Sequence, residues 1–163
     1  MTGPPPPRIV EIGDLLTPQR VIPQLRAASK KQALQELARR AAALTGIHER
    51  SIYEVLMERE RLGTTGIGMG IGIPHGKLAG LAALCGMFAR LERPIPYDAI
   101  DDQPVDLIFL LLAPDNAGAD HLKALALVSR LLRDRSMCEK LRGTDTADAL
   151  YALLTDRTDS DAA

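Results

Sequence analysis

Apolar residues follow helical spacing in some segments and strand spacing in others. After Ser29 they recur every three or four residues, at Ala33, Leu34, Leu37, Ala38, Ala41 and Leu44. Ser29 followed three residues later by Gln32 is a capping-box pattern, and Gly46 is a typical helix stop. We therefore predict a helix between Ser29 and Gly46.

Further helices are predicted by the same spacing. One runs from 51 to about 62, with Ile52 and Val55 facing inwards, and ends in a charged turn before a glycine. Another begins near Asp120 and is amphipathic, and two shorter helical segments follow it and end near Leu154.

Three segments have strand character. Residues 81–91 and 105–113 read as strands, and the second is apolar on both faces, which indicates a central strand. In residues 66–76, isoleucines stand at alternate positions between glycines, which is typical of a short strand that another part of the chain approaches closely. Pro94 and Pro96 indicate a loop or an edge segment.

This order predicts an α/β fold, with a small mixed β-sheet flanked by helices in a single domain. The domain is expected to cover residues 10–154. A proline-rich arm at 1–9 and a polar tail at 155–163 are both expected to be disordered.

Composition and charge exclude several classes of function. The chain has 163 residues, a formal net charge of -1 and only 3% aromatic residues. A balanced charge gives no general reason to bind nucleic acid or anionic lipid, and few rings are present for stacking on bases. The two cysteines, Cys85 and Cys138, lie in apolar segments and are expected to be buried free thiols.

No targeting or membrane segment is evident. The first seven residues lack a basic region followed by an apolar one, and no apolar run approaches the length of a membrane helix. We therefore expect a cytoplasmic protein without direct membrane insertion.

The glycine-rich segment fails two phosphate-binding motifs. Glycines stand at 66, 68, 70 and 72, so no frame places the third glycine of a dinucleotide fingerprint correctly. A Walker loop ending in Gly76-Lys77 would need a glycine where Ile71 stands and a hydroxyl where Leu78 stands.

The same segment leads to His75, which is a candidate nucleophile. Pro74 restricts the backbone before it, Gly76 leaves space beside the ring and permits a positive φ, and Lys77 supplies positive charge. An imidazole with an ordinary pKa of about 6.5 is largely neutral at cytosolic pH and can attack a phosphoryl group. The alternative is an unreactive histidine that ends a strand and bonds to backbone. Metal binding is less favoured, because the three histidines and two cysteines are scattered.

His121 lies at the predicted start of the helix near Asp120. Helix N-termini favour anions, so this imidazole could donate a hydrogen bond to a phosphoryl oxygen there. It could equally be an exposed polar residue in a first helical turn. His48, in an interhelical turn, is expected to be solvated surface.

Several runs resemble the mannitol/fructose-type IIA domains of the phosphotransferase system. They are Arg59-Glu60, GTTGIG at 63–68, GIGIPHGK at 70–77, PYDAIDDQPVDL at 96–107, and His121-Leu122 followed by Leu125. The resemblance extends over roughly 10–154 and is greatest to the stand-alone nitrogen-regulatory branch. Met69 and Gly72 depart from the asparagine and alanine that are common in the family.

The resemblance implies that His75 accepts a phosphoryl group on Nε2 from a histidine phosphocarrier protein similar to HPr. It implies that His121 and Arg59 shape the site and that Thr65 and Gly76 contribute to phosphoryl binding, with no metal, nucleotide or other cofactor. Arg59 could share its planar fork with phosphoryl oxygens, or could simply pair with Glu58 or Glu60.

The expected activity is that of a phosphohistidine carrier rather than of an enzyme that turns over small molecules. The expected output is regulation of partner proteins according to phosphorylation state, as in the nitrogen-type phosphotransferase system. Relay of the phosphoryl group to a IIB domain in sugar transport is the alternative. A binding or structural domain with an unreactive His75 is a third possibility.

Overall fold

Strands and helices alternate along the chain, as the hydrophobic pattern predicts. The computed structural model describes residues 11–156. Its strands are β1 (Val21–Leu25), β2 (Gly66–Gly68), β3 (Ile71–Gly72), β4 (His75–Leu78), β5 (Cys85–Ile95) and β6 (Val105–Pro114). Its helices are α1 (Lys30–Thr45), α2 (Glu49–Arg61), α3 (Ala119–Arg133), α4 (Arg135–Arg142) and α5 (Ala147–Thr155).

The sheet is mixed and β6 lies at its centre. The strand order is β1-β5-β6-β3-β2, and β4 also pairs with β6. β5 runs antiparallel to β6, whereas β3 and β4 run parallel to it. The predicted fold class and the central position of the 105–113 strand are both confirmed.

Both faces of the sheet are covered because β6 is apolar on both sides. Its Ile108, Leu110 and Leu112 belong to a core formed with α1 and α2, which includes Leu34, Leu37, Ile52 and Leu56. Its Leu107, Phe109 and Leu111 belong to a core formed with α3, α4 and α5, which includes Val128, Leu132, Leu141 and Leu150. Among the helices of residues 11–156, none is long and apolar enough to cross a bilayer.

The first helix begins and ends where its caps predict. The Ser29 hydroxyl accepts a hydrogen bond from the Gln32 amide at 3.2 Å, and Gly46 has a left-handed φ of 76°. The Gln32 side chain accepts from the Ala28 amide rather than from the Ser29 amide, so the capping box is shifted by one residue. At the start of α2, exposed His48 is the N-cap, a role that the sequence analysis missed.

The glycine-rich segment is a hairpin and a separate strand, not the one strand predicted. Met69 and Gly70, both at positive φ, form the turn between β2 and β3, and His75 then starts β4 instead of ending a strand. The close approach that the glycines predicted comes from Tyr97 and Ala99. A Cβ on Gly66 would lie 2.8 Å from Ala99 and 3.0 Å from the Tyr97 side chain, so the position has no room for one. A Cβ on Gly72 would lie 3.1 Å from the Tyr97 ring, which would have to shift by a few tenths of an ångström.

The tip of this hairpin is bound to two distant segments. Arg142 forms a bidentate ion pair with Asp106 and donates to the Met69 carbonyl at 2.7 Å. Asp101 accepts from the Met69 amide at 2.9 Å. The turn is therefore fixed on both sides, although Met69 adopts a conformation that usually favours glycine or asparagine.

Two strand predictions need correction. β5 begins at Cys85 rather than near 81, because Gly80, at a φ of 84°, forms a turn there, and β5 continues through Pro94. The short edge strand β1 was not predicted, since Pro23 in its middle obscures the strand pattern.

Other boundaries agree with expectation or fall outside the described residues. Cys85 and Cys138 are buried free thiols, as predicted. Thr155, placed in the tail by the sequence pattern, is the last residue of α5. The arm at 1–9 and the tail beyond 156 lie outside the described residues, so their predicted disorder stays a prediction.

Candidate active site

Three elements bring the predicted site residues together. His75 opens β4, which is held against β6 in parallel register, and His121 lies in the first turn of α3. The two rings meet edge to face, with 5.8 Å between their centroids and 65° between their planes. Arg59 reaches the same point from the last turn of α2.

Hydrogen bonds fix the tautomer of His75. Its Nδ1 lies 2.8 Å from the Ile73 carbonyl oxygen, which can only accept, so Nδ1 carries the proton. The Nε of Arg59 donates to His75 Nε2 at 3.1 Å, so Nε2 offers its lone pair. The ring is therefore neutral, orientated from both nitrogens, and nucleophilic at Nε2.

The surroundings of His75 favour this neutral form. Burial lowers the pKa of the imidazole, and the positive charge of Arg59 lowers it further. The Ile73 carbonyl and the charge of Glu60 act in the opposite direction, but the net pKa lies below the ordinary value.

This shift predicts how the acceptor depends on pH. We expect His75 to stay neutral to lower pH than an unperturbed histidine, so the rate of phosphoryl acceptance should fall only at pH values below about 6.5. NMR titration of the His75 ring should give a midpoint lower in the folded protein than in urea. An equal or higher midpoint in the folded protein would contradict this expectation.

Arg59 does not form an ion pair with either of the glutamates beside it in the sequence. Glu58 pairs with Arg61 at 2.7 Å, and Glu60 pairs with Lys30 at 2.6 Å. Arg59 instead donates through Nη1 to the Gly63 carbonyl at 2.8 Å, which holds the guanidinium beside His75. The alternative pairing with Glu58 or Glu60 is therefore not what the structure contains.

His121 is buried and incompletely bonded. It is 8% exposed, and its Nε2 has no hydrogen-bond partner within residues 11–156. Burial lowers its pKa, and Lys77 and the neighbouring His75, when that ring is protonated, act in the same direction. A buried polar atom without a partner is costly, which is typical of an atom that binds a ligand during function.

Thr65 is committed to a buried network. Its hydroxyl donates to Glu60 Oε2 at 2.6 Å and lies 3.0 Å from Tyr97 Oη, which therefore donates to it. Burial, together with the Glu60 charge, raises the pKa of Tyr97 and keeps its phenol protonated. The sequence analysis placed Thr65 at the phosphoryl group, and that direct contact stays a prediction.

Gly76 is required for a reason other than the one predicted. It lies inside β4 without a positive φ, so conformational freedom is not what the position demands. A Cβ there would overlap Val55 Cγ1 of α2, so the missing side chain allows α2 to pack directly on β4. Direct contact between Gly76 and a phosphoryl group stays a prediction.

Sequence reasoning missed Lys30 and Tyr97 and gave Glu60 no role of its own. Lys30 Nζ lies 4.5 Å from the centre of the Tyr97 ring as well as against Glu60. These residues are far apart in sequence. Glu60 and Tyr97 stand in the family-like runs around 60 and 97, whereas nothing in the sequence pointed to Lys30. Within the described residues, no group of three His, Cys, Asp or Glu side chains could hold a metal ion.

Exposed apolar side chains lie on the segments that build the site. Leu62 follows α2, Leu122 follows His121, Ile67 and Met69 lie on the β2–β3 hairpin, and the Ile100 amide bonds to Gly66. We call Leu62, Ile67, Met69, Ile100 and Leu122 the apolar rim. Ile71, two residues after Met69, is buried in the core and is not part of the rim.

Comparisons with known proteins agree on one family. The family model described as "Phosphoenolpyruvate-dependent sugar phosphotransferase system, EIIA 2" matches residues 14–157. A nitrogen regulatory protein of Bradyrhizobium diazoefficiens is 58% identical over 143 residues, which are 88% of this chain and 94% of the relative.

Solved structures show the same fold. The crystal structure of nitrogen regulatory protein IIA-Ntr from Neisseria meningitidis matches with a TM-score of 0.84 and 35% identity, over 88% of this chain and 99% of the other. IIA mannitol from Escherichia coli matches with a TM-score of 0.73 and 20% identity, over 86% and 99% of the two chains.

Proposed function

Because this chain belongs to the EIIA 2 family of the phosphoenolpyruvate-dependent sugar phosphotransferase system, we propose that His75 is its phosphoryl-accepting residue. The donor is a histidine phosphocarrier protein, and the phosphorylation state controls binding of partner proteins, as in a nitrogen-type phosphotransferase system. A cytoplasmic location is part of the proposal.

One observation carries the proposal. The Nε2 lone pair of His75 lies in contact with the guanidinium of Arg59, and the ring meets the His121 imidazole, whose own Nε2 has no hydrogen-bond partner in the part of the chain that the structure describes. Acceptance of an anionic phosphoryl group requires a neutral nucleophile together with a cation and a polar atom that can bind phosphoryl oxygens, and the site brings these three together.

The transfer step follows from this geometry. Arg59 releases Nε2, and the Nε2 lone pair attacks phosphorus in line with the nitrogen–phosphorus bond of the donor. That bond breaks, its electron pair returns to the donor imidazole, and the proton of His75 stays on Nδ1. The reaction exchanges one nitrogen–phosphorus bond for another, so it needs positioning and charge stabilisation rather than a cofactor.

The remaining site residues support this step. The fork of Arg59 binds phosphoryl oxygens once it has left Nε2, and His121 donates from Nε2 to another oxygen. Thr65 and Gly76 complete the phosphoryl site, Thr65 through its buried network and Gly76 through the close packing of α2 on β4.

Reconstitution tests the function and the part of His121 together. With phosphoenolpyruvate, enzyme I and the histidine carrier protein, the wild-type chain should gain an acid-labile phosphoryl group that maps to His75. His121→Ala should still be labelled, but about 100-fold more slowly, which is the usual cost of losing one preorganised donor. No label on wild type with a competent donor would refute the carrier function, and an unchanged rate in His121→Ala would remove that residue from the site.

Regulation follows from the charge that phosphorylation adds. A phosphoryl group on His75 brings about -1.5 to -2 charges, and the exposed apolar residues Leu62 and Leu122 stand in sequence beside the segments that carry Arg59 and His121. The affinity of a partner that packs on the apolar rim should then differ between the phosphorylated and unphosphorylated protein. Pull-downs that compare the phosphorylated protein with His75→Ala should recover partners that differ between the two forms.

A sugar-transport relay is the second candidate, because the family description names a sugar phosphotransferase system. The phosphorylated protein should then lose its label rapidly to a purified IIB domain of the mannitol or fructose type. Retention of the label in that mixture would favour the regulatory function.

A further inference from the structure

We propose that Glu60 is a positioning residue for phosphoryl transfer, which holds the imidazole of His75 through Thr65 on one side and through Arg59 on the other. This role rests on the proposed function, since it concerns the reaction at His75. Within residues 11–156 no hydrogen bond joins Glu60 to the His75 ring, so apart from its charge Glu60 acts on the ring through other residues.

Glu60 is a buried carboxylate whose oxygens are all bonded. Its side chain is only 4% exposed. Oε1 accepts from the Thr65 amide at 3.0 Å and from Lys30 Nζ at 2.6 Å, and Oε2 accepts from the Thr65 hydroxyl at 2.6 Å. Two of these three bonds fix a single residue, Thr65, so the carboxylate determines where the chain lies after α2.

The first connection runs from Thr65 to Nδ1. The Thr65 carbonyl accepts from the Ile73 amide at 2.9 Å, and the Ile73 carbonyl accepts from His75 Nδ1 at 2.8 Å. Glu60 therefore sets the position of Thr65, Thr65 that of Ile73, and Ile73 the orientation and tautomer of the ring.

The second connection runs through Arg59 to Nε2. Arg59 precedes Glu60 at the end of α2 and donates both to the Gly63 carbonyl and to His75 Nε2. The loop that contains Gly63 is fixed between α2 and Thr65. If Glu60 releases Thr65, the Gly63 carbonyl is free to move and the guanidinium loses one of its two acceptors.

Stability alone does not account for this arrangement. Replacement of a buried ion pair by apolar residues is often neutral or favourable for stability, so the Lys30–Glu60 pair needs another explanation. Both connections from Glu60 end on the two nitrogens of one ring, and a displacement of about 1 Å at a reacting atom can reduce a rate on the order of 100-fold.

The test compares Glu60→Gln with a double variant and a matched control. Glu60→Gln replaces one of the two oxygens that accept from Thr65 by an NH2 group, which cannot accept, and it also leaves Lys30 without its partner charge. Glu60→Gln combined with Lys30→Met removes that stranded charge. Glu58→Gln is the control, because the Glu58 side chain is 69% exposed and its ion pair within residues 11–156 is with Arg61 on the same helix.

We expect Glu60→Gln and the double variant to lower kcat for transfer from the phosphorylated carrier about tenfold or more, with KM for the carrier little changed. The control should behave as wild type. The ¹⁵N spectrum of His75 should show the single Nδ1–H tautomer in wild type and a mixture of tautomers in both Glu60 variants. A rise in KM alone would point to docking and would overturn the proposal.

Two other results would also overturn it. They are an unchanged kcat in Glu60→Gln, and recovery of the wild-type rate in the double variant, which would trace the defect to the stranded lysine. If the wild-type protein accepted no phosphoryl group at all, the proposed function would be refuted instead. The tautomer spectrum would still test the role of Glu60, because it needs no phosphoryl donor.

Discussion

The His75→Ala variant is expected to accept no phosphoryl group from the histidine carrier protein. The variant lacks the nitrogen that would form the bond to phosphorus, while Arg59 and His121 remain in place. Loss of the nucleophile of a covalent mechanism should lower the rate about 10⁴-fold or more. Time courses of acid-labile label, resolved by mass spectrometry of the intact protein, measure it.

Two variants control this experiment. His75→Gln keeps a polar group that can accept from Arg59, so loss of labelling there isolates the missing nucleophile from any change in packing. His48→Asn replaces an exposed histidine by another good N-cap residue of α2 and should be labelled at the wild-type rate. Label that persists in His75→Ala and vanishes when His121 is also replaced would move the acceptor to His121.

Gly76→Ala should impair both stability and transfer. Its Cβ would overlap Val55 Cγ1, so Val55 must leave its rotamer or α2 must move away from β4, and a shift of α2 displaces Arg59. Overpacking of this kind costs about 1–3 kcal/mol of the free energy of unfolding, measured by urea denaturation. Transfer should slow about tenfold or more because the guanidinium no longer meets Nε2.

Removal of the clashing methyl group supplies the control. Val55→Ala removes Cγ1. The nearest remaining atoms of residue 55 to a Cβ at position 76 are then its Cβ and its carbonyl oxygen, each at 3.8 Å, which is ordinary contact. Gly76→Ala should therefore cost less in the Val55→Ala background, by about 1 kcal/mol or more in a double-mutant cycle. Additive costs would show that Val55 is not the reason for the glycine.

Local patterns predicted most of what surrounds His75. The Ser29 and Gly46 caps of α1 and the doubly apolar run of β6 are encoded within a few residues, so the sequence was sufficient for them. His75 was found because a proline, a glycine and a lysine stand directly beside it. The central strand and the mixed sheet followed from the same short-range information.

Contacts between distant segments could not be predicted in this way. The contact of the Thr65 hydroxyl with Tyr97 Oη joins residues 32 positions apart, and the overlap that excludes a side chain at Gly76 depends on how α2 docks on β4. The sequence alone did not show whether the glycine at 76 is required by a positive φ or by lack of space for a side chain. The turn at Met69 was missed because a methionine at positive φ gives no turn signal, and Arg142 holds it from 73 residues away.

The hydrogen bond between Nδ1 and the Ile73 carbonyl also bears on the reverse reaction. Once phosphorus is bonded to Nε2, the proton on Nδ1 makes the ring a cation, and that carbonyl stabilises the positive charge by accepting a charge-assisted hydrogen bond. A protonated ring departs as neutral imidazole, which is a far better leaving group than imidazolate. The same backbone oxygen therefore prepares the ring to receive the phosphoryl group and keeps the loaded state ready for donation.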